Sequence, residues 1–151
     1  MRRNYITAVS IAAGVVIADL LTKRYAAIHF TGGDVEVIPG FLSFTYTENP
    51  GAAFSSFQAG GPFLALAAVA VIGYLLFALR SDRPLLEVVG FGFVIGGAAG
   101  NLADRIWRAE TFLDGTVIDW IDLWFIPTFN LADTAITVAV VLLIIDAWRR
   151  R

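Results

Sequence analysis

Four apolar stretches, at about residues 5–21, 62–79, 85–103 and 129–148, decide what this chain can fold into. Each is long enough to cross a hydrocarbon core about 30 Å thick as a helix. Only 16% of the residues are charged against 58% hydrophobic, and the mean hydropathy is +0.72, well outside the range of a water-soluble domain. The expected fold is an all-α polytopic membrane protein of four transmembrane helices. The 151 residues are expected to form a single integral membrane domain, with little length left for a separate soluble one.

Arg2 and Arg3 ahead of the first stretch look like the start of a secretory signal. The run nevertheless continues past Asp19 to Lys23 without a convincing small-residue cleavage site, so it is read as a retained first helix. Arg2, Arg3, Arg80, Arg83, Arg149, Arg150 and Arg151 all fall on one side of a four-span arrangement, which places both termini in the cytoplasm. Lys23, Arg24, Arg105 and Arg108 lie on the other side, among most of the acids, and residues 24–61 and 105–128, with Asp119 in the second, are expected to form extracytoplasmic loops. The absence of cysteine excludes disulfides, thiolate metal sites and thiol nucleophiles. A net charge of -2 speaks against a nucleic-acid partner.

The first outer segment carries a pattern of its own. From Val35 to Thr47, β-branched and aromatic residues are broken by Pro39-Gly40, which predicts two short strands around a turn. The small β element is expected on the outer membrane surface. Phe41, Leu42, Phe44 and Tyr46 either dip into the interface or pack within a surface loop.

Two acids lie at the outer end of the last apolar stretch, one ahead of it and one just inside it: Asp119 in Val117-Ile-Asp119 and Asp133 in Phe129-Asn-Leu-Ala-Asp133. A carboxyl within a transmembrane helix costs roughly 2.5–3.5 kcal/mol, so a pair calls for a chemical explanation, and paired carboxyls suit acid/base work. Gly96-Gly-Ala-Ala-Gly100 suits close helix packing. Asn101, Asp104 and Arg105 just beyond it need partners and suit an extended peptide backbone or a carboxylate. Asp19 and Lys23, four apart, can pair along one helix face. Glu87 and Asp146 read as boundary charges near arginines. His29 is the only histidine and reads as a surface residue, with no zinc constellation around it. Ser10 lacks a base for nucleophilic catalysis.

Asp19-Leu-Leu-Thr-Lys23, Asn49-Pro-Gly-Ala-Ala-Phe54, Gly96-Gly-Ala-Ala-Gly-Asn-Leu-Ala-Asp-Arg105, Val117-Ile-Asp119 and Phe129-Asn-Leu-Ala-Asp133 resemble, in order, the signature blocks of the lipoprotein signal peptidase (signal peptidase II) family. The resemblance spans nearly the whole chain. It implies an aspartyl endopeptidase of the bacterial inner membrane that removes the signal peptide of prolipoproteins ahead of a diacylglyceryl-modified cysteine. It assigns Asp119 and Asp133 as the catalytic dyad. It places Asn49, Gly51, Asn101, Arg105 and Asn130 along the substrate site, with Asp19 and Lys23 in support. No metal or organic cofactor is implied, and the expected partners are the lipid-modified precursor and membrane lipids, with the enzyme a monomer. Two carboxyls sharing a site cannot both ionise easily, so one holds a proton while the other acts as base. Residues 106–118 form a longer segment than is usual in the family and add Asp114 and, just beyond, Asp122 as rival carboxyls. Asp114-Gly115 reads as a turn.

Two other classes compete. A small four-helix transporter or channel subunit would line a pathway with Asp19, Asp104 and Asp133, but the middles of the spans are bare of acids. A metal-dependent lipid-headgroup transferase needs a tight repeat of acids along one helix, and the sequence has none.

Overall fold

The structure, a computed structural model, describes residues 2–51 and 60–150. The elements run α1 (Arg2–His29), β1 (Val35–Ile38), β2 (Leu42–Asn49), α2 (Gly61–Ala78), α3 (Leu85–Trp107), β3 (Val117–Leu123), β4 (Ile126–Phe129) and α4 (Leu131–Arg149). All four helices are long and apolar enough to cross a membrane. Side chains such as Ile17, Phe63 and Ile144 point outward from the bundle, as helices solvated by lipid require.

Helix α3 is the centre of the bundle, and α1, α2 and α4 all pack on it. The small residues expected to serve helix packing do so on two faces. A Cβ on Gly96 would stand 2.9 Å from the carbonyl oxygen of Ala12 in α1, and one on Gly97 would stand 2.5 Å from that of Ala132 in α4. The backbones meet because nothing projects between them.

Both strand pairs lie at one end of the bundle, where they join into a four-stranded antiparallel sheet in the order β1-β2-β3-β4. Strands β1 and β2 form where the first segment predicts them, around a turn in which Gly40 takes a φ of 68°. Strands β3 and β4 come from residues 105–128 and the start of the fourth apolar stretch, read from the sequence as loop and helix. The expectation of a β element confined to the first segment is corrected accordingly. The physical reason is that β2 has an open edge, and Val117-Ile-Asp-Trp-Ile-Asp-Leu123 supplies β-branched and aromatic residues to pair with it. Phe129 therefore ends a strand, and α4 begins at Leu131.

Of the interface candidates, Phe41 is exposed beside Phe125, whereas Phe44 turns inward against Phe30 and Trp120 at 5.7 and 5.2 Å between ring centres. At the far end of the bundle, Glu87 pairs with Arg83 at 2.6 Å and with Arg150 at 2.7 Å, and Asp146 also meets Arg150. The expected boundary charges are thus ion-paired. His29 is exposed and stacks on Tyr25, with ring centres 4.0 Å apart.

Candidate active site

The site grows from the N-terminus of α4. Asn130 lies in extended backbone, and its side-chain oxygen accepts a hydrogen bond from the backbone N–H of Asp133 at 3.0 Å. The Asp133 carboxylate accepts in return from the backbone N–H of Asn130 at 3.3 Å, completing a capping box. A third donor of this helix end with no partner inside the helix, the buried N–H of Ala132, is taken by Asp19 of α1 at 2.9 Å. Asp133 is thereby held in the first turn of the helix, where the helix dipole favours negative charge.

Asp119 arrives on β3 and is a strand residue rather than the loop residue expected from the sequence. In the β2–β3 register Thr47 faces Asp119 and Asn49 faces Val117, so Asn49 reaches Asp119 on the diagonal. Its Nδ2 donates to Asp119 Oδ2 at 2.9 Å, and Asn130 Nδ2 donates to Asp119 Oδ1 at 2.6 Å. Asn101 Nδ2 donates to Asp133 Oδ1 at 2.8 Å. Each amide is oriented by a group that can only donate. Asn49 Oδ1 accepts from the N–H of Gly51 at 2.9 Å, and Asn101 Oδ1 accepts from Lys23 Nζ at 2.9 Å. Asn130 Oδ1 is taken by Asp133 N–H. With their oxygens committed, all three amides aim their N–H groups at the carboxyls.

Burial pushes the Asp119 carboxyl up to about 6, and the charge of Asp133 adds to the rise. The bonds from Asn49 and Asn130 and the charge of Lys23 oppose it without cancelling it. Asp119 is 2% exposed, so loss of hydration is the dominant cause.

Lys23 anchors the inner wall. The predicted pair with Asp19 is present at 2.7 Å, and Lys23 also reaches Asp104 at 3.0 Å. Lys23 is 2% exposed and Asp19 is 0% exposed, so an ammonium inside the bundle is balanced by two carboxylates and an amide oxygen. Asp104 does more than the sequence reading assigned it: its Oδ2 also accepts from the N–H of Ile118 at 3.2 Å, tying β3 to α3 one residue before Asp119. Its spacing from Asn101 and Arg105 marks it as part of a polar cluster, but a bond to a distant strand has no local signature.

Arg105 is buried, and its Nη1 donates to the carbonyl oxygen of Gly115 at 3.3 Å. Gly51 takes a φ of 119°, and a Cβ there would lie 3.0 Å from the backbone N of Gly61, so only glycine fits. Of the motif Asn49-Pro-Gly-Ala-Ala-Phe54, Ala52, Ala53 and Phe54 lie outside the described residues, as does Arg151 of the basic terminus. The rival acids stand apart. Asp114 is half-buried and spends its oxygens on Glu110 and Thr111 within its own turn, while Asp122 is paired across the sheet with Ser43.

Asp119 and Asp133 open on one cavity of about 620 Å³, together with Asn49, Gly51, Asn101 and Arg105. That size is in the range that holds small ligands and chain segments. Its polar end lies under the sheet, and its apolar end runs between Leu64, Ala67, Ala68 and Val71 of α2 and Ile136 of α4. Helices α2 and α4 both rest on α3, and the cavity occupies the space between them. Asn130 and the Asp19–Lys23 pair stand behind the carboxyls and do not line it.

Fold and site define a multi-pass membrane protein with a pair of amide-held carboxyls facing a half-apolar cavity. The model of the signal peptidase (SPase) II family matches residues 11–149. The chain is 38% identical over 159 residues to a lipoprotein signal peptidase of Syntrophus aciditrophicus, covering 97% of this chain and 94% of that protein. It is 41% identical over 137 residues to one from Symbiobacterium thermophilum, covering 88% of each. Two solved structures described as a bacterial membrane enzyme, obtained by the in meso method, superpose with TM-scores of 0.82 and 0.80 at 33% identity. They cover 95% and 93% of this chain and 88% and 92% of their own. The chain belongs to the signal peptidase II family and is a membrane protease.

Proposed function

We propose that this chain is an intramembrane aspartyl endopeptidase that removes the signal peptide from diacylglyceryl-modified bacterial prolipoproteins, cutting N-terminal to the lipidated cysteine. The observation that carries the reading is that Asp119 and Asp133, from different elements, face one cavity with each carboxyl held by asparagine amides. Asp133 acts as base and takes a proton from a water molecule as the water oxygen attacks the scissile carbonyl carbon. Asp119, whose carboxyl is pushed up to about 6, carries the other proton and gives it to the carbonyl oxygen. As the tetrahedral intermediate collapses the C–N bond breaks, Asp133 gives its proton to the leaving nitrogen, and a hydroxyl of the intermediate returns its proton to Asp119, which restores the shared-proton state.

Asn49, Gly51, Asn101 and Arg105 supply the donors and acceptors that a peptide backbone loses on leaving water. Asn130 holds both carboxyls, and Asp19 and Lys23 support them from behind. The apolar flank of the cavity between α2 and α4 suits a hydrophobic signal segment, and the lipid chains of the substrate stay in the bilayer. On this reading the 151 residues are one integral membrane domain of the bacterial inner membrane, with both termini cytoplasmic. The sheet and dyad then stand at the extracytoplasmic face, and the enzyme acts as a monomer without a metal or organic cofactor. A transport pathway is disfavoured because Glu87, Asp104, Asp133 and Asp146 all lie close to an end of their helices rather than through the membrane depth.

The test is turnover of a purified lipid-modified precursor, with the unmodified precursor as control. Asp119→Asn and Asp133→Asn are each expected to abolish cleavage while the protein stays folded and monodisperse, and EDTA to leave the wild type active. Cleavage by either variant overturns the dyad, and loss of activity in EDTA overturns the metal-free mechanism.

A further inference from the structure

A second cavity of about 580 Å³ lies away from the dyad, between the sheet-side ends of α1 and α3. Its walls mix two chemistries. Leu20, Ile28 and Trp107 are apolar, and Arg24 and Arg108 bring guanidinium groups to the same space. Lys23 at its base is already balanced by Asp19 and Asp104. Arg108 shares Asp104 at 3.5 Å from Nε and also faces Tyr46 and Glu48 of β2, whereas Arg24 has no ion-pair partner among the described residues. Trp107 is 70% exposed at the end of a membrane-length helix, the depth at which indole rings gather at the lipid headgroups.

A cationic pair set beside bare aliphatic wall, at headgroup depth on a lipid-facing groove, is complementary to one class of molecule. Water-soluble anions match the arginines but leave Leu20 and Ile28 uncovered, and a neutral lipid covers the aliphatic wall but leaves the arginines unmatched. We propose that this groove binds an acidic glycerophospholipid of the bilayer, its phosphate between Arg24 and Arg108 and its acyl chains along Leu20 and Ile28. Guanidinium groups match phosphate oxygens with their fixed fork of donors. The groove lies on the opposite side of Lys23 and Asp104 from the dyad, so an occupant braces the cluster that anchors β3 without entering the substrate cavity.

The test uses the full chain in a neutral detergent, with thermal unfolding followed as short-chain phosphatidylglycerol, phosphatidylcholine or inorganic phosphate is added. Phosphatidylglycerol is expected to raise the midpoint saturably and the other two to leave it within error. Arg24→Gln, which breaks no contact within the protein, is expected to weaken the lipid's apparent affinity by about 5-fold, and Arg24→Gln with Arg108→Gln by about 30-fold. Equal midpoints with phosphatidylglycerol and phosphatidylcholine, or an affinity unchanged in Arg24→Gln, overturn the proposal. A rise of the same size with inorganic phosphate overturns the lipid as occupant in favour of a simple anion site.

Discussion

Asn130, the cap of α4, gives Asp119 on β3 its shortest hydrogen bond, 2.6 Å from Nδ2 to Oδ1. The same side chain accepts from the backbone of Asp133 and donates to Asn101 at 3.1 Å, so one buried amide sets the relation between a strand and a helix.

Removing that amide tests the relation. Asn130→Ala leaves the helix uncapped and a buried carboxyl short of a donor, and is expected to lower stability by roughly 1–3 kcal/mol. Turnover is expected to fall by on the order of 100-fold through misplacement of the carboxyls. Thr137→Ala, which removes only an exposed bond to the backbone of Asp133, serves as the control and is expected to change neither. Thermal unfolding and precursor cleavage on both variants decide it.

The raised Asp119 carboxyl makes a signed prediction about pH. The folded protein holds this proton up to about 6, whereas the unfolded chain releases it near 3.8. Its contribution to stability is therefore fully present below about pH 4 and lost as pH rises through 6, amounting to roughly 3 kcal/mol. Against Asp119→Asn, the wild type is expected to lose ground across this window and to hold a constant difference above it. Parallel midpoint-against-pH curves for the two proteins contradict the burial effect.

Lys23→Met is expected to be among the most damaging single changes, because it strands Asp19 and Asp104 inside the bundle. Breaking a buried pair by removing one partner costs about 3–5 kcal/mol. Asp19→Asn is expected to be milder, since its amide oxygen still accepts from the N–H of Ala132. Unfolding midpoints in detergent rank the two.

Helix contact at α3 predicts a contrast between glycines. Gly97→Ala drives a methyl into the carbonyl oxygen of Ala132 and is expected to destabilise by about 1–3 kcal/mol, moving Asn101 off Asp133 and lowering turnover. Gly14 in α1 has nothing within 4 Å of the position of a Cβ, so Gly14→Ala is expected to be neutral or to stabilise by up to about 1 kcal/mol.

Much of this fold was legible because its signals are local. Hydrophobic run length marked four helices, the four-residue spacing marked Asp19–Lys23, and Pro39-Gly40 marked the turn between β1 and β2. Strand β3 was missed although Val117-Ile-Asp-Trp-Ile-Asp-Leu123 carries the β-branched and aromatic content of a strand, because it follows a polar stretch and acquires its meaning only beside β2. The bond from Ile118 to Asp104 and the reach of Lys23 to both Asp104 and Asn101 were out of view for the same reason. They join residues that share no period, and only the folded bundle brings them together.

The bond from Ala132 to Asp19 spans 113 residues of chain and closes the circuit between the first helix and the last. Until α4 has entered the bilayer, Asp19 lacks this donor and Asp133 is not yet beside Asn101. A partly synthesised chain therefore has a scaffold but no chemistry. On the proposed reading, such a protease becomes competent only once its final helix is in place, so that activity itself reports a completed fold.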